Sequence, residues 1–346
     1  MRCLIYMGHP AHFHLFKNTI AQLREHGHVV EILIKKKDIL EDLLRNKGWE
    51  YTNINPKGRG DSKLAIAFSL LKRDWEFYKI AKKFKPDLMV GTSAEITHIG
   101  KILSIPSIVV NEDDANVVPL FAKLAYPFAT AVLAPRCCDC GKWKNKQISY
   151  ESYHELAYLH PNHFTPDITI VRKYIQEEKY FILRFAKLNA HHDAGRSGIN
   201  LLIAKKIIDL LSPHGRIYIT SERELEKELE PYRIAINPLD IHHAMAFAEM
   251  YIGDSQTMAA EAAVLGTPAI RFNDFVGEIG YLEELEHTFG LTYGIRTNDT
   301  EKLYKIISDL LMTDDFKNKF QEKRKIMLSQ KIDLATYMTK LFEEYV

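Results

Sequence analysis

The sequence holds no run of about 18 apolar residues, so nothing in it reads as a membrane span. Its first ten residues, MRCLIYMGHP, lack the basic opening and the long apolar stretch of a signal peptide and read as a short strand. A cytoplasmic location is therefore expected, with room left for peripheral contact with a membrane. Charge of one sign is missing too: 46 Lys and Arg meet 45 Asp and Glu, a net +1. No basic stripe is laced with aromatics, so no nucleic-acid partner is expected. The Lys35-Lys36-Lys37 run ends a predicted strand and reads as a solvated strand end. Cysteine is scarce. Three of the four fall in Cys137-Cys138-Asp139-Cys140, which is no disulfide framework. It lacks the fourth ligand and the two-residue gaps usual for zinc, so reduced thiols and no metal are expected. A G-x-G-x-x-G fingerprint is absent as well, and no dinucleotide cofactor is expected.

The chain has 346 residues, about right for two domains of ~150 each, with 46% hydrophobic and 26% charged residues, an ordinary globular profile. Short apolar runs alternate with longer amphipathic stretches. Cys3–Met7, Val29–Ile34, Asp87–Val90, Ser107–Val110 and Ala131–Leu133 read as buried strands. Helices are predicted from Leu15 to His26, Asp38 to Asn46 and Leu64 to Lys85. From Pro135 to Asp167 the pattern lapses into a predicted connector with three prolines. It then resumes with strands Tyr180–Phe185, Arg216–Thr220, Ile234–Ile236, Met250–Ile252 and Ala269–Phe272, and an amphipathic helical tail from Lys302 to Tyr345. Continuous apolar strands separated by helices indicate parallel sheets covered on both faces. The fold class expected is α/β, with two doubly wound Rossmann-like domains, 1–165 and 166–331, facing a cleft. Residues 332–346 form a helix that can cross back to the first domain.

The most informative segment is Met250 to Phe272, MYIGDSQTMAAEAAVLGTPAIRF. A strand, a Gly253-Asp254-Ser255 turn and a helix stopped at Gly266 place bare backbone N–H groups and a positive helix end after a parallel strand. That arrangement suits a diphosphate. Ser255, Gln256 and Thr257 add side-chain donors, and Glu261 can accept both hydroxyls of a ribose. The plainer reading is an N-cap at the turn and a solvated Glu on the helix.

Asp254-Ser255, Glu261 and Leu265-Gly266-Thr267-Pro268 resemble the motif of the non-hydrolysing UDP-N-acetylglucosamine 2-epimerases, a D-S-G-G turn, a Glu-rich helix and an L-G-x-P exit. Asn237-Pro238-Leu239-Asp240 is similar to that family's preceding P-L-x segment. The lipid-linked N-acetylglucosaminyltransferase of peptidoglycan synthesis has a related S-G, E and G-x-P arrangement. The resemblance is motif-level over ~30 residues and implies the GT-B fold, with Asp254 to Thr257 at the phosphates and Glu261 at the ribose. It also implies that Leu183 to His192, then Asp193-Ala194-Gly195, begins the loop that caps the nucleotide, with Asn189, His192 and Gly195 at the base or diphosphate, against a plain surface loop.

The N-terminal strand is followed by Gly8-His9-Pro10-Ala11-His12-Phe13-His14, at the edge where open α/β sheets bind ligands. The chain looks like a prokaryotic GT-B family with a P-x-H-x-H-x-F loop at this place. His12 and His14 are candidate general bases, against an N-cap and packing of the loop on the next helix. Glu112, Asp113 and Asp114 after strand SIVV are candidate acid/base groups or a sugar-hydroxyl clamp, against a solvated helix cap.

The chain departs from the epimerases where their chemistry lies. Their G-D-T turn is Gly91-Thr92-Ser93 here, their H-V-E-A-G-L-R segment is Val109-Val110-Asn111-Glu112-Asp113, and their H-R-R-E-N run is Arg184-Phe185-Ala186-Lys187-Leu188-Asn189. A metal-independent glycosyltransferase of surface polysaccharide or glycan synthesis is therefore expected. It would take a UDP-linked sugar as substrate, no cofactor, and a glycan or lipid-linked acceptor. An epimerase-like isomerase and a non-catalytic nucleotide-sugar-binding protein are the alternatives.

Overall fold

The computed structural model describes residues 1–35, 39–54, 63–186 and 198–345, with backbone only for 63–71. The elements in the first part of the chain are β1 (Arg2–Met7), α1 (Pro10–Glu25), β2 (Val29–Ile34), α2 (Leu40–Asn46), β3 (Thr52–Asn53), α3 (Lys63–Phe84), β4 (Leu88–Gly91), α4 (Ala94–Leu103), β5 (Ser107–Val110), α5 (Pro119–Ala125), β6 (Ala131–Pro135), β7 (Gln147–Tyr150) and α6 (Leu156–Leu159). The rest comprises α7 (Ile168–Val171), β8 (Tyr180–Phe185), α8 (Leu201–Leu211), β9 (Arg216–Ser221), α9 (Ile241–Phe247), β10 (Met250–Gly253), α10 (Gln256–Val264), β11 (Ala269–Phe272), α11 (Gly280–His287), β12 (Thr292–Ile295), α12 (Thr300–Met312), α13 (Phe316–Gln330) and α14 (Leu334–Glu344).

Two compact units result, Met1–His163 with Ile332–Val346, and Phe164–Lys331. The first holds a seven-stranded sheet in the order β3-β2-β1-β4-β5-β6-β7; the second holds five strands in the order β12-β11-β10-β8-β9. Every strand pair is parallel. The central strands are buried along their length, as sheets covered by helices on both faces require. In the first unit the chain changes direction across the sheet between β1 and β4, and in the second between β8 and β10. Ligands of doubly wound sheets sit at such points, outside the carboxyl ends of the strands.

Three readings of the sequence change. The histidine loop is largely helix, because the His9 ring caps α1 by accepting from the Ala11 N–H and Pro10 takes the first helical position. Ile234–Ile236 is no strand. Ile234 makes a single backbone bond to Ile219 beside an isolated Ile219–Arg233 bridge, and Asn237-Pro238 ends the run. The expected connector after Pro135 instead contributes β7 and α6, whose Leu156, Ala157 and Leu159 are fully buried.

The C-terminal helix is built into the first unit. Asp333 caps α14 and also accepts from Asn162 Nδ2 at 3.0 Å and His163 Nε2 at 2.8 Å. Thr339 donates to Gln22 of α1 at 2.7 Å, and Glu343 receives His26 and His28. Burial works against the ionised Asp333, but the bonds from His163, Asn162 and Thr336 hold its carboxyl well below the usual range. Among the described residues, no helix is long and apolar enough to cross a membrane.

Candidate active site

In the second unit the Met250–Phe272 segment folds as a strand, turn and helix. Ser255 is the N-cap of α10 and its hydroxyl accepts from the Met258 N–H. The first N–H groups of α10, on Gln256 and Thr257, have no acceptor within the helix. Both residues are half-buried, and the Gln256 amide oxygen is buried without a hydrogen-bond partner. At the other end Gly266 takes a left-handed φ of 74°, and α13 closes the helix. Arg324 donates to the Val264 carbonyl, and Gln321 to those of Leu265 and Gly266. The C-terminal carbonyls are satisfied by protein and the N-terminal amides are left to something else.

Asp254 is an anchor. Its Oδ1 accepts from the Ala186 N–H at 2.6 Å and its Oδ2 from the Ile199 N–H at 3.2 Å. These residues flank the segment between β8 and α8. Asn273 donates to the Asp254 carbonyl, and a Cβ on Gly198 would stand 2.4 Å from Oδ2. Burial pushes the Asp254 carboxyl up to about 6 against the pull of those N–H groups. Both carboxylate oxygens thus face backbone amides of this unit. Asn189 and His192, expected to touch the nucleotide, lie outside the described residues.

Glu261 is buried on the inner side of α10, with Oε1 2.9 Å from Nε2 of His242 on α9. A carboxylate only accepts, so the imidazole donates. Sequence reading did not foresee this partner, since His242 shows no motif. Arg184, which opens the segment in place of the epimerases' H-R-R-E-N run, has Gly253 as its register partner across the sheet. Arg184 pairs with Glu222, and its Nε is buried with no partner.

In the first unit the candidates separate. The Gly8 N–H donates to His12 Nδ1 at 3.1 Å, and the Thr92 hydroxyl lies 2.7 Å from the same nitrogen. A backbone N–H can only donate, so Nδ1 carries no proton and neutral His12 is the Nε2–H tautomer. His12 therefore sits where β1 and β4 diverge, as a donor. His14 is buried instead, edge-on to Phe13 at 5.3 Å and packed on Tyr158 of α6 at 5.2 Å. The Gly91-Thr92-Ser93 turn is tight, because a Cβ on Gly91 would stand 2.8 Å from the Tyr6 carbonyl.

The three acids after β5 are also drawn apart. Asn111 donates to the Asp113 carbonyl at 2.7 Å, and Asp114 accepts from the Asp139 N–H at 2.7 Å. Glu112 lies 3.3 Å from Nδ1 of His154, which follows β7. The Cys138 thiol donates to the Glu112 carbonyl at 2.9 Å, tying the ends of β5 and β6 together. Arg73 of α3 pairs with the buried Glu95 of α4 at 2.5 Å. Among the described residues, no three His, Cys, Asp or Glu are placed to hold a metal ion.

Two doubly wound units, each with polar groups gathered at the carboxyl ends of its parallel strands, define an α/β protein of the GT-B fold, and solved structures agree. The S. aureus MnaA–UDP co-structure is 12% identical with a TM-score of 0.68, covering 100% of this chain and 97% of that one. UDP-GlcNAc 2-epimerase from Neisseria meningitidis, bound to UDP-GlcNAc, is 15% identical with a TM-score of 0.68, covering 100% and 99%. MurG from Acinetobacter baumannii is 13% identical with a TM-score of 0.61, covering 99% and 100%. At such identities the likeness is one of fold. No curated protein matches the chain by sequence. The chain belongs to the family described as Protein of unknown function (DUF354), whose model matches residues 1–333.

Proposed function

We propose that the chain is a nucleotide-sugar enzyme, and specifically a glycosyltransferase with a UDP-linked donor, working in glycan synthesis on a glycan or lipid-linked acceptor. The observation that carries this reading is the amino end of α10. It stands at the point where the second sheet changes direction, with bare amides beside a cap that Asp254 fastens to both ends of the β8–α8 segment. Such an end binds a diphosphate through its N–H groups and its partial positive charge. Ser255, Gln256 and Thr257 take the diphosphate, and Glu261, steadied by His242, takes the ribose hydroxyls.

In the reaction an acceptor oxygen bonds to the anomeric carbon as the bond from that carbon to the diphosphate breaks, and UDP leaves with the electron pair. The helix end stabilises that developing charge without a metal ion. Calorimetry with UDP, GDP and free sugars tests the reading. UDP should bind and Gln256→Ala should weaken it, whereas no heat with any nucleotide at millimolar concentration refutes it. Release of UDP only with an acceptor marks a transferase; interconversion of free sugar nucleotides marks an epimerase; binding without turnover marks a binding protein.

A further inference from the structure

Helices α3, α4 and α5 cover one face of the seven-stranded sheet, and their inner sides bury Phe77, Ile96, Ile99 and Ala122. The imidazole of His98 on α4 ties the three helices together. Its Nδ1 lies 3.1 Å from the Asp74 carboxylate of α3, its Nε2 lies 3.0 Å from the Leu124 carbonyl of α5, and the ring stands edge-on to Phe128 at 5.3 Å. Around that node large apolar side chains face solvent. Trp75, next to Asp74, is 60% exposed and stacks on Tyr78. Ile102, one turn along α4 from His98, is 66% exposed. Leu120, one turn before Leu124 on α5, is 67% exposed, and Leu124 and Phe128 are exposed as well. Among the described residues of the first unit eight large apolar side chains are exposed. Five of them belong to these three helices and the turn after α5, so they form a patch rather than the usual scatter of single residues.

The charge around the patch selects its partner. Residues 72–84 of α3, with α4 and α5, carry seven Lys and Arg against three Asp and Glu, although the whole chain nets only +1. Each of the three acids is paired within the layer: Asp74 with His98, Glu76 with Lys79 and Glu95 with Arg73. Lys72, Lys82, Lys83, Lys101 and Lys123 are exposed. A second copy of the chain packed on this face by a two-fold axis would set lysines against lysines, because such a contact joins the same patch on both partners. An anionic bilayer meets both features at once. Its headgroups attract the lysines, and its acyl boundary takes up the tryptophan ring and the aliphatic side chains.

We propose that the outer face of α3, α4 and α5 docks on the surface of an anionic lipid bilayer. Trp75, Ile102, Leu120 and Phe128 enter the interface, and the lysines rest on the headgroup phosphates. Docking is peripheral, because all three helices stay packed on their sheet. The inference goes beyond the nucleotide-sugar reading and does not depend on it.

The test is sedimentation of the full-length protein with vesicles of phosphatidylcholine, alone or mixed with phosphatidylglycerol. The protein should sediment with the mixed vesicles, stay in solution with the neutral ones, and be released as salt screens the lysines. Ile102→Ser combined with Leu120→Ser should lower the partition coefficient about tenfold or more, with an unchanged melting temperature, because both side chains are exposed before docking. Lys101→Gln combined with Lys123→Gln should lower it about fivefold per lysine. Ile326→Ser, at an exposed position on α13 of the second unit, should change nothing. Wild-type protein that stays in solution with the mixed vesicles overturns the proposal, as does undiminished sedimentation of the serine pair. If the serine pair fails to fold, the glutamine pair decides in the same way. A dimer in analytical ultracentrifugation that the serine pair dissociates also overturns it, since the face would then belong to a second copy of the chain. UDP enters none of these readouts, so failure of the nucleotide reading and failure of the docking surface are told apart.

Discussion

Replacing Asp254 by Asn keeps the shape of the side chain and removes its charge, which separates two opposing effects. The carboxyl is 4% exposed and raised from 3.8 to about 6. A rise of ~2 pKa units is worth about 3 kcal/mol, set against the folded state whenever the group is ionised. The group's contribution is therefore most favourable below the unfolded pKa and is lost as pH rises through about 6. Against this relief, Asn turns one N–H-accepting oxygen into an NH₂ group that meets an N–H head-on. The lost bond, at either Ala186 or Ile199, is worth about 1.5–3 kcal/mol. The two nearly cancel at pH 7.5, so Asp254→Asn should be within ~2 kcal/mol of wild type in urea unfolding. At pH 4 the wild-type carboxyl is protonated, and the gap should move by about 3 kcal/mol in favour of wild type. A difference between the two proteins that does not change with pH would refute the reasoning. Asp254→Ala, which loses both bonds, should weaken UDP binding at least tenfold in calorimetry by releasing the segment ends beside α10.

Further outcomes follow from other contacts. His12→Asn keeps an acceptor for the Gly8 N–H and removes the Nε2 donor, so melting should hardly change while turnover falls ~10²-fold; unchanged turnover would confine His12 to packing. Glu261→Ala leaves the His242 imidazole, 3% exposed, without its carboxylate, and should cost about 1–3 kcal/mol in denaturant titration besides weakening UDP. His98 gives a pH signature: its hydrogen bond with Asp74 raises its pKa against burial, with the Leu124 carbonyl bound at Nε2. That stability is present below ~6.5 and lost as pH rises through the folded pKa, a loss that Asp74→Asn should abolish in thermal melts. Asp333→Ala removes a cap and the partner of His163 and should lower the stability of the first unit by about 2–4 kcal/mol.

The fold was legible because its signals are local. Strands such as SIVV and AVLAP alternate with amphipathic helices, and the Gly253-Asp254-Ser255 turn announces a helix start that the structure keeps at Ser255. The helix α1 starts at Pro10 and not at the expected Leu15, because the Pro10–His14 stretch lacks the apolar spacing that marks the rest of the helix. The strand β7 was hidden in QISY, which is short and half polar because it lies at the edge of its sheet.

Of the candidate site, the α10 end could be seen in sequence because its residues are contiguous. The partners could not. His242 meets Glu261 across 19 positions, Ala186 meets Asp254 across 68, and His154 meets Glu112 only because β5 and β7 end on the same side of one sheet. The separation of His12 from His14 has the same origin. Two residues apart on a helix they point some 200° away from each other, so one reaches Thr92 and the other Tyr158.

The claim that the amino end of α10 receives the diphosphate of a nucleotide sugar is tested most directly by a structure of the protein grown with UDP. The account predicts diphosphate oxygens within hydrogen-bond distance of the Gln256 and Thr257 amides, with the ribose hydroxyls on Glu261. UDP bound elsewhere, or a nucleotide-soaked crystal with water alone at that helix end, would contradict it.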